Sequence, residues 1–231
     1  MIREILNAAA SKIKGKKYSI DEKLTGFDLL EFFLRRTVFL VRGFILVGFG
    51  SRILFAGPGV VLRHKRMIRF GKGVTLGHGV MIDGLSKNGV YIGDNVNIGP
   101  HTTIQASGVI TRLGTGFSIG KNSGIGGFSF VGAGGGVKIG ENVIMGQYIS
   151  FHSENHNFDR VDVPIKDQGV TRKGIVIGDD CWVGAKVTFI DGCDVGSGCV
   201  IAAGSVVRGK IPPNSVIGGV PAKLIKNRLG V

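Results

Sequence analysis

Cysteine, tryptophan, proline and acidic side chains are all scarce in this chain. Its 231 residues include three cysteines, one tryptophan, six prolines and 16 Asp or Glu against 29 Lys or Arg. Three thiols exclude a disulfide-rich scaffold, and Cys181, Cys193 and Cys199 form no CxxC pair of the kind that marks a metal or redox site. They read instead as compact apolar core residues of a reducing compartment. A long apolar run is missing too. Residues 37–50 are apolar for about 14 positions but contain Arg42, which is too short to span a bilayer. The first 17 residues carry Lys12, Lys14, Lys16 and Lys17 where a signal peptide would need an apolar stretch, so a cytoplasmic location is expected.

The shortage of acidic residues is local. Residues 1–72 hold 15 Lys or Arg against 5 Asp or Glu, a net +10, while residues 73–231 hold 14 against 11, a net +3. The basic character therefore belongs to the N-terminal segment. A basic segment suits nucleic acid, anionic lipid or an acidic polymer. No nucleic-acid motif accompanies it, so nucleic acid is not expected as a partner. Residues 1–67 read as a mostly helical appendage that either packs on the end of the next domain or lies at an anionic membrane surface. In the second case Arg35, Arg36, Arg42 and Arg52 would meet headgroups at the inner face of the cell membrane.

What is abundant is glycine, at 40 residues, and it falls within a six-residue beat. Ile177, Val183, Phe189, Val195, Ile201 and Val207 stand six apart without a slip. The next residue is usually small (Gly178, Gly184, Gly196, Ala202), and the fifth place is compact: Cys181, Val187, Cys193, Cys199, Ser205, Ile211. One aliphatic and one compact residue turned inward per short strand is the pattern of a stacked β-solenoid. Earlier runs keep the beat: Phe70, Leu76, Ile82; Ile92, Ile98, Ile104; Leu113, Ile119, Ile125, Val131; Ile139, Met145, Phe151. These place the solenoid domain over residues 68–218. A tail, residues 219–231, follows, with a short basic helix starting near Pro221 and ending at Arg228.

A coil cannot absorb extra residues, so every insertion must leave it as a loop. The largest break runs from Phe151 to Ile177, 26 residues where six would suffice. Its polar sequence, residues 152–176, contains His152, Glu154, Asn155, His156 and Asp159. One long polar loop on a rigid scaffold is a common way to hold reactive groups. A metal held by His152 and His156 at i, i+4 would need a helix, which this stretch does not suggest, so no metal is expected.

The segments IGDNVNIGP, IGDDCWVGAKV and VGSGCVIAAGSVV, followed by IPPN and GGVPAKLIK, resemble the hexapeptide-repeat acyltransferases, most nearly the sugar O-acetyltransferases. The resemblance covers about residues 70–228. It implies an all-β solenoid wound as a left-handed parallel β-helix, a homotrimer, and acetyl transfer from acetyl-CoA to a hydroxyl of a sugar or polysaccharide precursor. The same machinery could serve an amine of a nucleotide-linked amino sugar, or a serine. A purely structural solenoid would not need the His-rich loop, and a γ-carbonic-anhydrase-like zinc enzyme would need three histidines at a spacing this chain does not offer.

Moving an acetyl group from a thioester to a hydroxyl needs a base, donors for the oxyanion and a grip on CoA. Histidine is the natural base near neutral pH. The family's position for it falls on His156, while His152 reads as a strand-end residue or an acceptor contact. Glu154 or Asp159 would orient the imidazole or touch the acceptor, and Asn155 would order the loop or bind sugar. The resemblance places Trp182, Gly184, Ala185, Ala203 and Gly204 along the pantetheine arm, and Lys223, Lys226 and Arg228 at the nucleotide phosphates. The chain departs from many relatives at Arg208-Gly209-Lys210, where they carry a Thr-Lys pair. Reactive parts contributed by separate stretches of a flat-sided rod point to a cleft between subunits.

Overall fold

The computed structural model describes residues 7, 17, 19–48 and 53–230. Each hexad supplies one strand of two or three residues and one corner, and three hexads close one coil. The first coil runs through Leu54–Ala56, Val61–Arg63 and Ile68–Phe70, and the second through Val74–Leu76, Met81–Asp83 and Val90–Ile92. Strands of successive coils pair in parallel, Leu54 with Val74, Val61 with Met81 and Ile68 with Val90. Repetition builds three sheets of nine, seven and seven strands. We call them the first, second and third face, in the order the chain visits them.

The beat works because a coil interior admits only a narrow column of apolar side chains. Leu76, Ile98, Ile125 and Val183 stack inward on the first face, Ile82, Ile104, Val131 and Phe151 on the second, and Ile92, Ile119 and Ile139 on the third; all are buried. Phe151 and Phe189, on adjacent rungs, stack with ring centroids 4.8 Å apart. The cysteines expected in the core are there, free and buried. Burial pushes the Cys193 thiol up to about 12 and that of Cys181 to about 11, which keeps both protonated and unreactive.

Corners need one residue with positive φ. Between the third and first faces the chain uses Asn95, Asn122, Asn142, Asp180 and Asn214, with φ of 54–60°. Asn and Asp tolerate the left-handed region best after glycine. Here they add a ladder, with Asn95 Nδ2 donating to Asn122 Oδ1 at 3.1 Å and Asn122 Nδ2 to Asn142 Oδ1 at 3.3 Å.

The helix Gly26–Val47 starts at a reciprocal cap. Thr25 N–H donates to Asp28 Oδ2 at 2.7 Å, and Asp28 N–H donates to Thr25 Oγ1 at 3.2 Å. The chain divides into two units, residues 1–38 and 39–231, and the last turns of the helix belong to the second. There Gly43 lies against the first strand so closely that a Cβ would collide with the Leu54 carbonyl oxygen. Arg42 Nε donates to Gly57 O at 3.3 Å and Lys65 Nζ to Leu46 O at 3.0 Å, completing the joint.

Three expectations change. The appendage expected to reach residue 67 gives way to coil at Leu54, and the turn at Gly57-Pro58-Gly59 is the first corner; Ala56 and Leu62 are six apart, but two surplus residues before Phe70 break the beat there and hide the first coil. Leu113 is no rung, because residues 106–116 leave the coil as a corner loop before Phe117–Ile119. The C-terminal segment is not helical. Ala222–Asn227 runs antiparallel to Ser215–Gly219 and closes the open edge of the first face. So short a helix has too few internal hydrogen bonds to survive, whereas the exposed edge offers ready partners. Of the basic residues named near the start of the chain, Lys12, Lys14, Lys16 and Arg52 lie outside the described residues.

Candidate active site

Every long insertion sits at one corner, between the second and third faces: residues 84–89, 106–116 and 153–174. The last is fastened at both ends. Ser153, fully buried, donates from Oγ to Gly132 O at 2.7 Å and accepts Gly135 N–H at 2.9 Å. At the return, buried Asp191 accepts N–H bonds from Lys173 and Gly174, both at 2.8 Å.

Between these anchors the loop braces itself. Asn155–His156 pairs antiparallel with Val170–Thr171, so His156 lies on a short strand opposite Val170. Asn157 N–H donates to Gly169 O at 3.0 Å, and Gln168 Nε2 bridges to Arg160 O at 2.6 Å and Val163 O at 2.7 Å. Backbone pairing thus sets the strand's position while leaving the imidazole exposed, with no bonded partner among the described residues. A general base must be able to reach an incoming hydroxyl, and an exposed imidazole without a bonded partner meets that requirement.

The other candidates are distributed unevenly. His152 ends the strand Ser150–His152, with Nε2 2.7 Å from Ser150 Oγ and its ring 6.0 Å from that of Phe130. Glu154 is engaged by Arg172, whose Nε donates to Oε2 at 2.9 Å. Asn155 and Asp159 are exposed on the loop. Trp182 points outward from the first face, 59% exposed, beside Ile144 and Val200 on neighbouring rungs. Gly184, Ala185, Ala203 and Gly204 follow at the corner between the first and second faces. Gly184 is held there by packing, since a Cβ would approach Ala203 N to 2.5 Å, whereas Gly204 answers to its φ of 72° alone. Lys223 and Lys226 are exposed on the last hairpin, and Arg228 turns its Nη1 onto Gly198 O at 2.6 Å. In a three-faced coil, the corner rooting the His156 loop lies across from the face carrying Trp182. One chain therefore does not bring them together.

Arg172 escaped the sequence reading. Besides Glu154, its guanidinium donates to Leu113 O at 3.1 Å and Arg112 O at 3.4 Å, and Arg112 Nη1 reaches Val170 O at 3.5 Å. It ties the catalytic-loop candidate to the smaller loop, residues 106–116. No local signal could reveal it, because the partners are 18 to 60 residues away. Charge-assisted bonds of this kind contribute about 1.5–3 kcal/mol each. Arg172→Ala is therefore expected to speed amide exchange at residues 155–157 and 169–171 by about 10- to 100-fold, using about 1.4 kcal/mol per decade. Exchange at residues 175–177 should not move, and Arg172→Lys should restore only part of the protection because it lacks the planar fork.

Residues 174–209 match the family model described as bacterial transferase hexapeptide (six repeats). The "Probable acetyltransferase Rv3034c" of Mycobacterium tuberculosis is 34% identical over 181 residues, 74% of this chain and 58% of that protein. The chain carries the hexapeptide repeat of bacterial transferases. The hexapeptide chain is also 28% identical over 172 residues to the "Putative lipopolysaccharide biosynthesis O-acetyl transferase WbbJ" of Escherichia coli, covering 71% of this chain and 74% of that one. It thus spans a little over half of the first relative's length and about three quarters of the second's. An N-acyltransferase from Bacillus cereus, AntD, solved with dTDP and 3-hydroxybutyryl-CoA, superposes with a TM-score of 0.51 at 15% identity, over 76% of this chain and 80% of that one. That likeness is one of fold.

Proposed function

We propose that this chain transfers an acetyl group from acetyl-CoA to a hydroxyl of a sugar or polysaccharide precursor, with His156 as general base in a ternary complex. The observation that carries the reading is an exposed imidazole, unpartnered among the described residues, on the longest loop, itself anchored at Ser153 and Asp191. The imidazole nitrogen takes the acceptor's hydroxyl proton as the oxygen adds to the thioester carbonyl. The tetrahedral intermediate then collapses, the C–S bond breaks, and the imidazolium returns its proton to the leaving thiolate. The named activities of the relatives support acyl transfer as the class.

The reading takes the coil as left-handed and the chain as a homotrimer. A copy that places its Trp182 face beside this loop would supply the cofactor wall that one chain lacks, with Lys223 and Lys226 toward the CoA phosphates. Peripheral membrane contact belongs to the same reading. Phe27, Leu30, Leu34, Val38, Val41 and Ile45 repeat every three or four residues as an exposed stripe of the helix, flanked by Arg35 and Arg42. No helix of the described residues is long and apolar enough to cross a membrane.

The testing experiment is a screen of purified protein with acetyl-CoA over sugars, nucleotide sugars, lipid-linked sugars and serine, following thiol release. Acceptor-dependent release with a hydroxyl sugar is the expected result. Release only with amino sugars would move the assignment to N-acetylation, and release with no acceptor would remove it.

A further inference from the structure

The third face carries two neighbouring cavities that the catalytic reading leaves unused. The larger, about 620 Å³, is walled by Leu46 and Val47 from the helix end and by Leu62 and Phe70 from the first coil, with Lys65 and Arg69 at its mouth. The smaller, about 330 Å³, runs past Ser118 and Lys138 to Lys173 and Gly174. Tyr91 lines both, so the two adjoin at that side chain as successive basins of a trough along the face. Arg69, Tyr91, Ser118 and Lys138 stand on consecutive rungs of the face. At about 4.8 Å per rung the polar floor is about 14 Å long. The trough ends at Lys173, two residues beyond the strand that pairs with His156.

Its chemistry changes along its length. One end is apolar and carries a guanidinium on the same strand, the middle offers the hydroxyls of Tyr91 and Ser118, and the far end offers two ammonium groups. Among the described residues the polar side-chain atoms of Arg69, Tyr91, Ser118, Lys138 and Lys173 have no bonded partner. A coil surface needs none of these types there for folding, since outward positions of a half-buried sheet tolerate most polar residues. Apolar walls next to unpaired cations fit an amphiphile whose tail is joined to an anion, and the hydroxyls beyond fit a polyol.

We infer that this trough binds an acceptor built as a lipid diphosphate joined to a sugar, with the tail against Leu46 and Val47, the diphosphate at Arg69 and Lys65, and the sugar over Ser118 toward Lys138 and the root of the His156 loop. The inference rests on the acetyl-transfer reading and names the substrate class for it. Arg donates bidentately to phosphate oxygens, whereas Lys acts as a point charge. The tail contributes by burying apolar area.

The test is calorimetric titration of the full chain carrying His156→Ala with farnesyl diphosphate, inorganic diphosphate, farnesol and dihexanoyl phosphatidic acid. Farnesyl diphosphate should bind at least about 30-fold more tightly than the other three, since tail and diphosphate act together. Arg69→Gln should weaken it about tenfold, the loss of one charge-assisted contact. Lys210→Gln, on the same face but beyond the trough, should leave it unchanged. Equal binding of inorganic diphosphate would reduce the site to an anion patch, equal binding of farnesol to an apolar cleft, and equal binding of phosphatidic acid to a membrane-lipid contact; each overturns the inference. A matching loss in Lys210→Gln would overturn it as bulk electrostatics. Binding with no acetyl transfer by the wild-type protein would uphold the trough and remove the acetyl-transfer reading. Transfer to a soluble sugar with no farnesyl diphosphate binding would do the reverse.

Discussion

Replacing His156 by alanine is expected to lower kcat for acetyl transfer by about 10²- to 10⁴-fold, the usual contribution of a positioned general base. That corresponds to about 2.7–5.4 kcal/mol of transition-state stabilisation. The KM for acetyl-CoA should change little, because the imidazole acts on the acceptor proton. The fold should be indifferent: the side chain is exposed, and the strand Asn155–His156 is held through backbone bonds to Val170–Thr171 that alanine retains. Steady-state kinetics of His156→Ala beside His152→Ala, with thermal unfolding of both, makes the measurement. His152 is bonded to Ser150, and its loss should cost much less. Full activity in His156→Ala, or the larger loss in His152→Ala, would sink the assignment.

The second large effect is on stability. Phe189→Ala is expected to cost about 3–5 kcal/mol, the range for deleting a buried aromatic side chain, because the cavity left inside a stacked coil cannot collapse. Phe189 is fully buried, and its ring supports that of Phe151 at 4.8 Å, a contact that adds about 0.5–1.5 kcal/mol of its own. For a chain of this size the midpoint should fall by roughly 10 °C. Phe189→Leu should lose far less, since it keeps most of the volume. Because coils touch only their neighbours, the loss should appear first around Phe151, whose strand leads directly into the His156 loop. Hydrogen exchange resolved along the chain would show this. Uniform loosening of all coils would contradict nearest-neighbour coupling, and a change under 1 kcal/mol would contradict the packing.

The hexads from Ile177 to Val207 were legible in the sequence because each inward rung admits only a few side-chain types, so the constraint is written locally every six residues. The same logic made Trp182 an outward residue and the three cysteines core residues. It also marked the departure at Phe151, since a coil has no place for surplus chain. Two regions resisted. Leu113 imitates an inward rung by composition, yet it belongs to a corner loop whose excursion has no fixed length. Residues 222–227 look helical by composition, but their conformation is chosen by an unpaired strand edge, Ser215–Gly219, that exists only once the last coil has closed.

The sequence by itself determined the repeating coil, its apolar interior and the site of the interruption, because these depend on neighbours within one hexad. Only the tertiary structure decided what surrounds His156. The clamp of Arg172 onto Glu154 and Leu113, the distribution of His156 and Trp182 on opposite sides of one chain, and the adjoining cavities along Arg69, Tyr91, Ser118 and Lys138 all involve residues from different coils. Stacking sets those neighbours about 20 to 60 residues apart in the chain, and insertions of irregular length at one corner shift the count each time. Hydrogen bonds and charge act over a few ångströms of space, which in a coil bears no fixed relation to distance along the sequence.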